Sequence, residues 1–282
     1  MAMHKSNFVA VALLLLSIHA NSARGQGEIA KNTLAINDIQ IYYEEVGAGP
    51  PLLLLHDFGG CTQSWQTHVG ALAKQYRVII PDLRGHGRST NPSGKFTHRQ
   101  AAFDVFALLD ELGIQRVQAM GMSSGGMTLI HMATQQPERI EAMVLIGATV
   151  YFPDQARAIM RKSHSDSMSA REWEEWAQCS SRGNEQTREI VGIFHRFKDS
   201  YDDMNFTAPY LSTITAKTLI VHGDRDEFFP VSIAAQMYEA IPNAYLWIIP
   251  NGTHIPIFGD RAEAFQNNSL KFLSGGWMPS GH

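Results

Sequence analysis

Cysteine is scarce in this sequence: Cys61 and Cys179 are the two it has in 282 residues. No CxxC pair and no His/Cys cluster at metal-ligand spacing occurs, so a metal site has no support. The two thiols either form one bridge or stand as unrelated buried groups, and their spacing leaves both readings open. An excess of one charge is missing too. Lys and Arg number 23 against 27 Asp and Glu, a net charge of -4 with no dense basic stripe, which argues against a nucleic-acid partner. The phosphate-cradling pattern GxxxxGK[ST] is absent, and neither internal repeats nor low-complexity linkers occur.

Long apolar runs are lacking apart from one. Met1 to Lys5 carries positive charge, Phe8 to Ile18 is almost unbroken apolar sequence, and the small and polar residues "HANSARGQG" follow. The run falls well short of the ~20 residues of a membrane span. Its layout is that of a secretory signal peptide over residues 1–25, cleaved near Ala23 to Gly25. No cysteine stands at the cleavage site to carry a lipid. The expectation is an exported protein, periplasmic or secreted and free of the membrane after cleavage, in a compartment where disulfides persist.

Downstream, short apolar runs alternate with longer amphipathic ones. Residues 52–56, 78–81, 117–122, 143–148, 218–223 and 245–250 are short, mostly apolar and bounded by Gly or Pro, as suits strands buried on both faces. Between them, "HRQAAFDVFALLDELG" (98–113) has helical spacing and ends on Gly113. The alternation predicts an α/β fold: a mostly parallel central sheet with helices on both faces. Residues 34–47 predict an antiparallel hairpin turning at Asn37-Asp38 that opens the sheet. The rhythm breaks over residues 150–210, which are rich in charge and aromatics and predict a small helical cap. The core would then comprise residues 26–149 and 211–282. Trp173 and Trp176, three apart, would share one face of a cap helix.

In "GMSSG" (121–125), Ser123 stands at the turn from an apolar run into a helix, with Gly121 and Gly125 two residues to either side. A sharp turn that exposes a side chain crowds the backbone on both sides, and glycine relieves it; this is the G-x-S-x-G nucleophile elbow. Ser124 fits the pattern badly, and its useful part would be its backbone N–H. A serine needs a base, which a neutral histidine supplies at pH 7. In this architecture the acid and then the histidine follow the serine. Asp226 lies beyond the run at 218–223 and His254 beyond the run at 245–250, so all three loops fall at the carboxyl ends of strands. Asp224, nearer its strand, and Asp154 are weaker candidates for the acid.

On these residues the chain resembles the serine-type α/β-hydrolases, from about residue 34 to 274. The motifs are "HDFGG" (56–60), "PDLRGHGRS" (81–89), "GMSSG" (121–125), "HGDRDEFFP" (222–230) and "GTH" (252–254). The resemblance implies Ser123 as nucleophile, His254 as acid and base, and Asp226 as the carboxylate orienting the imidazole. It also implies an oxyanion hole from the N–H groups of Phe58 and Ser124, each worth about 2.7–4 kcal/mol in such sites. His56, Arg84 and His86 read as structural. One departure stands out: the family usually has His-Gly-aromatic where this chain has His56-Asp57-Phe58. A carboxylate about 6 Å from a developing oxyanion would oppose it by roughly 3 kcal/mol. Asp57 is therefore expected to point away and hold the loop or the cap by hydrogen bonds.

The implied activity is hydrolysis of a small to medium carboxylic ester through an acyl-enzyme, with no cofactor. Trp173, Trp176, Phe194 and Phe206 are the expected pocket wall, although Trp65, Trp173 and Trp176 suit packing as well. Relatives with the same residues run lactone hydrolysis, C–C cleavage or cofactor-free perhydrolysis, and others act as small-molecule receptors. Epoxide hydrolases and haloalkane dehalogenases carry Asp at the elbow, against Ser123 here. The acyl group and the oligomeric state are not legible in the sequence.

Overall fold

The computed structural model describes residues 27–277; the leader expected over residues 1–25 lies outside them. The hairpin is formed by β1 (Ala30–Ile36) and β2 (Ile39–Val46), and it turns at Asn37, whose φ of 47° is the left-handed conformation asparagine tolerates. The apolar runs become β3 (Pro51–Leu55), β4 (Arg77–Pro81), β5 (Val117–Met122), β6 (Ile140–Ile146), β7 (Lys217–Gly223) and β8 (Ala244–Ile249). One sheet holds all eight in the order β1-β2-β4-β3-β5-β6-β7-β8. β2 pairs antiparallel with β1 and with β4, and every pair from β4 to β8 is parallel. The expected fold class is the one the chain adopts.

The helices are α1 (Gln66–Leu72), α2 (His98–Glu111) and α3 (Ser124–Gln135); then α4 (Asp154–Lys162), α5 (Ala170–Ala177), α6 (Asn184–Arg196) and α7 (Ala208–Leu211); and last α8 (Val231–Ala240) and α9 (Ala262–Leu273). Strand periodicity divides the core in two. Leu53 and Leu55 join the side chains of α2, α3 and α8, whereas Leu52 and Leu54 join those of α1 and α9. All four are fully buried, and each contributes about 1.5–3 kcal/mol by leaving water. Among the described residues no helix is long and apolar enough to cross a membrane.

Helices α4 to α7 lie between β6 and β7 and sit over the carboxyl ends of the strands. Several bonds fasten them there. Cys61, just after β3, is disulfide-bonded to Cys179, just after α5, with Cα atoms 5.6 Å apart, which settles the open pairing. Gln186 of α6 donates to the carbonyls of Gly85 and Gly87, both at 2.9 Å. The ring of Trp176 packs against Gly59, where a Cβ would stand 3.0 Å from it. Within the cap itself, Arg157 of α4 is buried and joins its segments by donating to the carbonyls of Phe152, Lys198 and Ser200 at 2.9, 2.6 and 2.8 Å.

Candidate active site

The turn between β5 and α3 is sharp. Ser123 has φ 46° and ψ −112°, an unfavourable conformation for a residue with a Cβ that costs about 1–3 kcal/mol and gathers at functional sites. The surrounding glycines make it possible. A Cβ on Gly121 would lie 2.5 Å from Gly125 C and Gly126 N, and one on Gly125 would strike the Leu55 carbonyl. Ser123 N–H donates to the Ile146 carbonyl at 2.7 Å, tying the turn to β6.

The three loops converge. Ser123 Oγ lies 2.9 Å from His254 Nε2, and His254 Nδ1 lies 2.9 Å from Asp226 Oδ2. Asp226 Oδ1 accepts from the N–H groups of Phe228 and Phe229 at 2.8 and 2.9 Å. Burial raises the pKa of this carboxyl, but the hydrogen bond and charge of His254 and the two backbone donors outweigh it, and the net shift is downward. The Asp226 carboxylate accepts the Nδ1–H of His254 and so turns Nε2 toward Ser123. Phe228 and Phe229 pack on the imidazole with ring centres 4.6 and 5.1 Å away.

The weaker candidates for the acid fall elsewhere. Asp224 is exposed beside Arg225, and Asp154 is exposed at the start of α4. His56 bonds the Asp57 carbonyl through Nδ1 at 2.6 Å and accepts the Leu83 N–H at Nε2 at 2.9 Å; burial lowers its pKa to about 3, so it stays neutral and braces the loop. His86 is likewise lowered by burial, to about 4. Arg84 is buried against Asp104 at 2.6 Å and reaches Asp38 at 2.9 Å, a bracing role.

Above Ser123 lies a cavity of about 160 Å³, close to the ~150 Å³ that admits a benzene ring. Its wall includes Phe58 and Ser124, the expected oxyanion residues, and the expected Trp176 and Phe194. The other two expected wall residues do not reach it. Trp173 shares α5 with Trp176 but turns toward α6, donating to Asn184 Oδ1 at 3.2 Å beneath Arg188. Phe206 packs between His131 and Tyr210 and lines a separate cavity near α7 and α8. Phe152, Met160, Phe197, Phe228, Phe229 and Met127 line the site instead. Only the pair at 228–229 had a sequence signal, its adjacency to Asp226.

Asp57 is held within its own loop, hydrogen-bonded to Ser64, and its carboxyl fills the space a Cβ on Gly60 would need. It has not left the site, because it lines the cavity beside Ser123 and His254. Burial raises its pKa, which favours the neutral acid and weakens the opposition to an oxyanion. Among the described residues lining the cavity none is Lys or Arg.

A serine, a histidine and a carboxylate in sequence at the floor of an apolar cavity define a hydrolase-type site. A sequence model of the α/β-hydrolase fold matches residues 50–171. Among curated proteins, 2-hydroxymuconate semialdehyde hydrolase of Pseudomonas putida is 27% identical over 275 residues, covering 90% of this chain and 97% of that protein. Among solved structures, an enol-lactonase of Burkholderia xenovorans superimposes with a TM-score of 0.70 at 24% identity, covering 86% of this chain and all of the other (100%). A Bacillus subtilis carboxylesterase does so with a TM-score of 0.72 at 21% identity, covering 88% and 93%. The chain has the α/β-hydrolase fold, and the matched model and the relatives support a hydrolase of that family.

Proposed function

We propose that the protein is an exported serine esterase acting on uncharged esters whose acyl part is apolar and about the size of one aromatic ring. Ser123 attacks the ester carbonyl as His254 Nε2 takes its proton, and the N–H groups of Phe58 and Ser124 receive the oxyanion. Collapse of the tetrahedral intermediate expels the alcohol, which takes the proton back from His254. Water, deprotonated by His254, then releases the acid from Ser123.

The observation that carries the choice of substrate is a wall of aromatic rings and methionines with no cation and with Asp57 beside Ser123. A carboxylate would lose its hydration there and gain no partner, a penalty of several kcal/mol. That disfavours dienoic acids of the kind named for one relative, a 2-hydroxy-6-oxo-6-(2'-aminophenyl)hexa-2,4-dienoic acid hydrolase, and favours neutral esters. Export rests on the charged, apolar and small-residue order of the first 25 residues, and the Cys61–Cys179 bridge supports it.

The test compares kcat/KM for a neutral phenyl-substituted acyl ester, the same ester bearing a carboxylate on the ring, and a 2-hydroxy-6-oxo dienoic acid. The neutral ester is expected to lead by at least about tenfold, the scale on which a pocket lacking a needed partner discriminates. Faster cleavage of the dienoic acid would assign the site to C–C hydrolysis and end the ester reading.

A further inference from the structure

Ser124, the neighbour of Ser123, carries a Ser–His–Asp chain of its own. Its Oγ lies 3.0 Å from His98 Nε2, and His98 Nδ1 lies 2.6 Å from Asp203 Oδ2. The same carboxylate accepts the N–H groups of His98 at 2.8 Å and Arg99 at 3.2 Å. His131, on α3 two turns beyond Ser124, donates from Nε2 to the Asp203 carbonyl at 2.8 Å. Asp203 lies on the segment returning from α6 toward the sheet, so the bonds close a ring through the start of α2, that segment and α3.

The second chain differs from the first in its surroundings. His98 is fully buried, against 13% exposure of the His254 side chain, and it packs among the rings of Phe96, Phe152 and Phe197. Burial would raise the pKa of Asp203, but the charge of His98 and the side-chain and backbone hydrogen bonds bring it down to about 2, so it is ionised at neutral pH. The Asp203 carboxylate accepts the Nδ1–H of His98, and His98 Nε2 is hydrogen-bonded to the Ser124 hydroxyl. That hydroxyl is then committed, its rotamer is fixed, and so is the first residue of α3.

We propose that His98 and Asp203 are positioning residues that act through the Ser124 hydroxyl to aim the Ser124 N–H at the oxyanion. The assignment rests on reading Ser123 as the nucleophile and Ser124 N–H as an oxyanion donor. Two pocket rings, Phe152 and Phe197, lie against His98, so the same ring of bonds also joins the cavity wall to the elbow.

A double-mutant cycle on the full chain separates positioning from bulk stability. Kinetics on a p-nitrophenyl ester are measured for wild type, His98→Ala, Ser124→Ala and the double variant, with His98→Gln run in parallel as a conservative replacement should the alanine fail to fold. His98→Ala is expected to lower kcat about tenfold with KM within about twofold, less than the ~10²–10³ lost with a whole oxyanion donor. In the Ser124→Ala background the same change should alter kcat less than about twofold, since the hydroxyl it acts through is gone. Equal losses in both backgrounds, or no loss in wild type, would overturn the proposal. So would a fluorophosphonate adduct mapped to Ser124 in Ser123→Ala, because the second chain would then activate a nucleophile. If wild type neither turns over ester nor labels at Ser123, it is the esterase reading that fails.

Discussion

At the residue scale, the site depends on an elbow that only glycine neighbours permit. Gly121→Ala would drive a Cβ to 2.5 Å from the backbone of Gly125 and Gly126, which no side-chain adjustment can relieve. The variant is expected to lose about 3 kcal/mol of stability, the upper range for overpacking, and with it the ester turnover. Urea unfolding reads this directly, and a loss under about 1 kcal/mol would mean the turn is slacker than the backbone contacts require. The same turn explains what could be read in advance. Gly121, Ser123 and Gly125 are local in sequence, and Asp226 and His254 each follow a recognisable strand, so residue order and strand ends sufficed to bring them together. His98 and Asp203 are 105 apart and lie in no such frame. Nothing in either neighbourhood signals the other, and their pairing with Ser124 emerges only from packing.

At the scale of elements, the sheet was legible because Leu52–Leu55 is apolar at every position and its counterparts are mostly so, without alternation, the mark of strands covered on both faces. The cap was legible only as a break in that rhythm. Spacing put Trp173 and Trp176 on a common face, yet three residues still turn the two side chains about 60° apart around α5. One meets Gly59 and the cavity, and the other meets α6. Phe206 was equally silent about which of two apolar sides of its segment it would occupy. What holds α5 over the site is the Cys61–Cys179 bridge, which spans 118 residues of sequence. On a chain-entropy account, closing a loop of about 100 residues contributes ~4.7 kcal/mol, and natural bridges contribute about 2–5. Replacing both cysteines with serine should therefore lower the unfolding free energy by about 2–5 kcal/mol and raise KM, because Trp176 and Phe58 each lie three residues from a cysteine of the bridge. Unchanged stability and KM in the double variant would show that Gln186 and the packing of Trp176 on Gly59 suffice to seat the cap.

At the scale of the whole molecule, buried histidines make acid the weak side of the fold. Burial holds His56 at about 3 and His68, His86 and His131 at about 4, against about 6.5 in the unfolded chain. Between those values the unfolded state binds protons that the folded state refuses, so stability falls as pH drops from about 6.5 toward 4. Each histidine accounts for about 2 kcal/mol between pH 7.5 and pH 5. Asp203 acts lower down: its depressed pKa contributes stability present above about 3.9 and lost as pH falls toward 2. The urea midpoint is expected to drop clearly between pH 7.5 and 5, and a flat or rising midpoint would contradict the neutral assignment of these rings. The central claim about the molecule is that its two adjacent serines are not equivalent, Ser123 reacting and Ser124 holding. Intact-mass labelling with a fluorophosphonate, on wild type and Ser123→Ala, tests it most directly. One adduct in wild type and none in the variant is the predicted result; an adduct that survives in Ser123→Ala, or none in either protein, would contradict it.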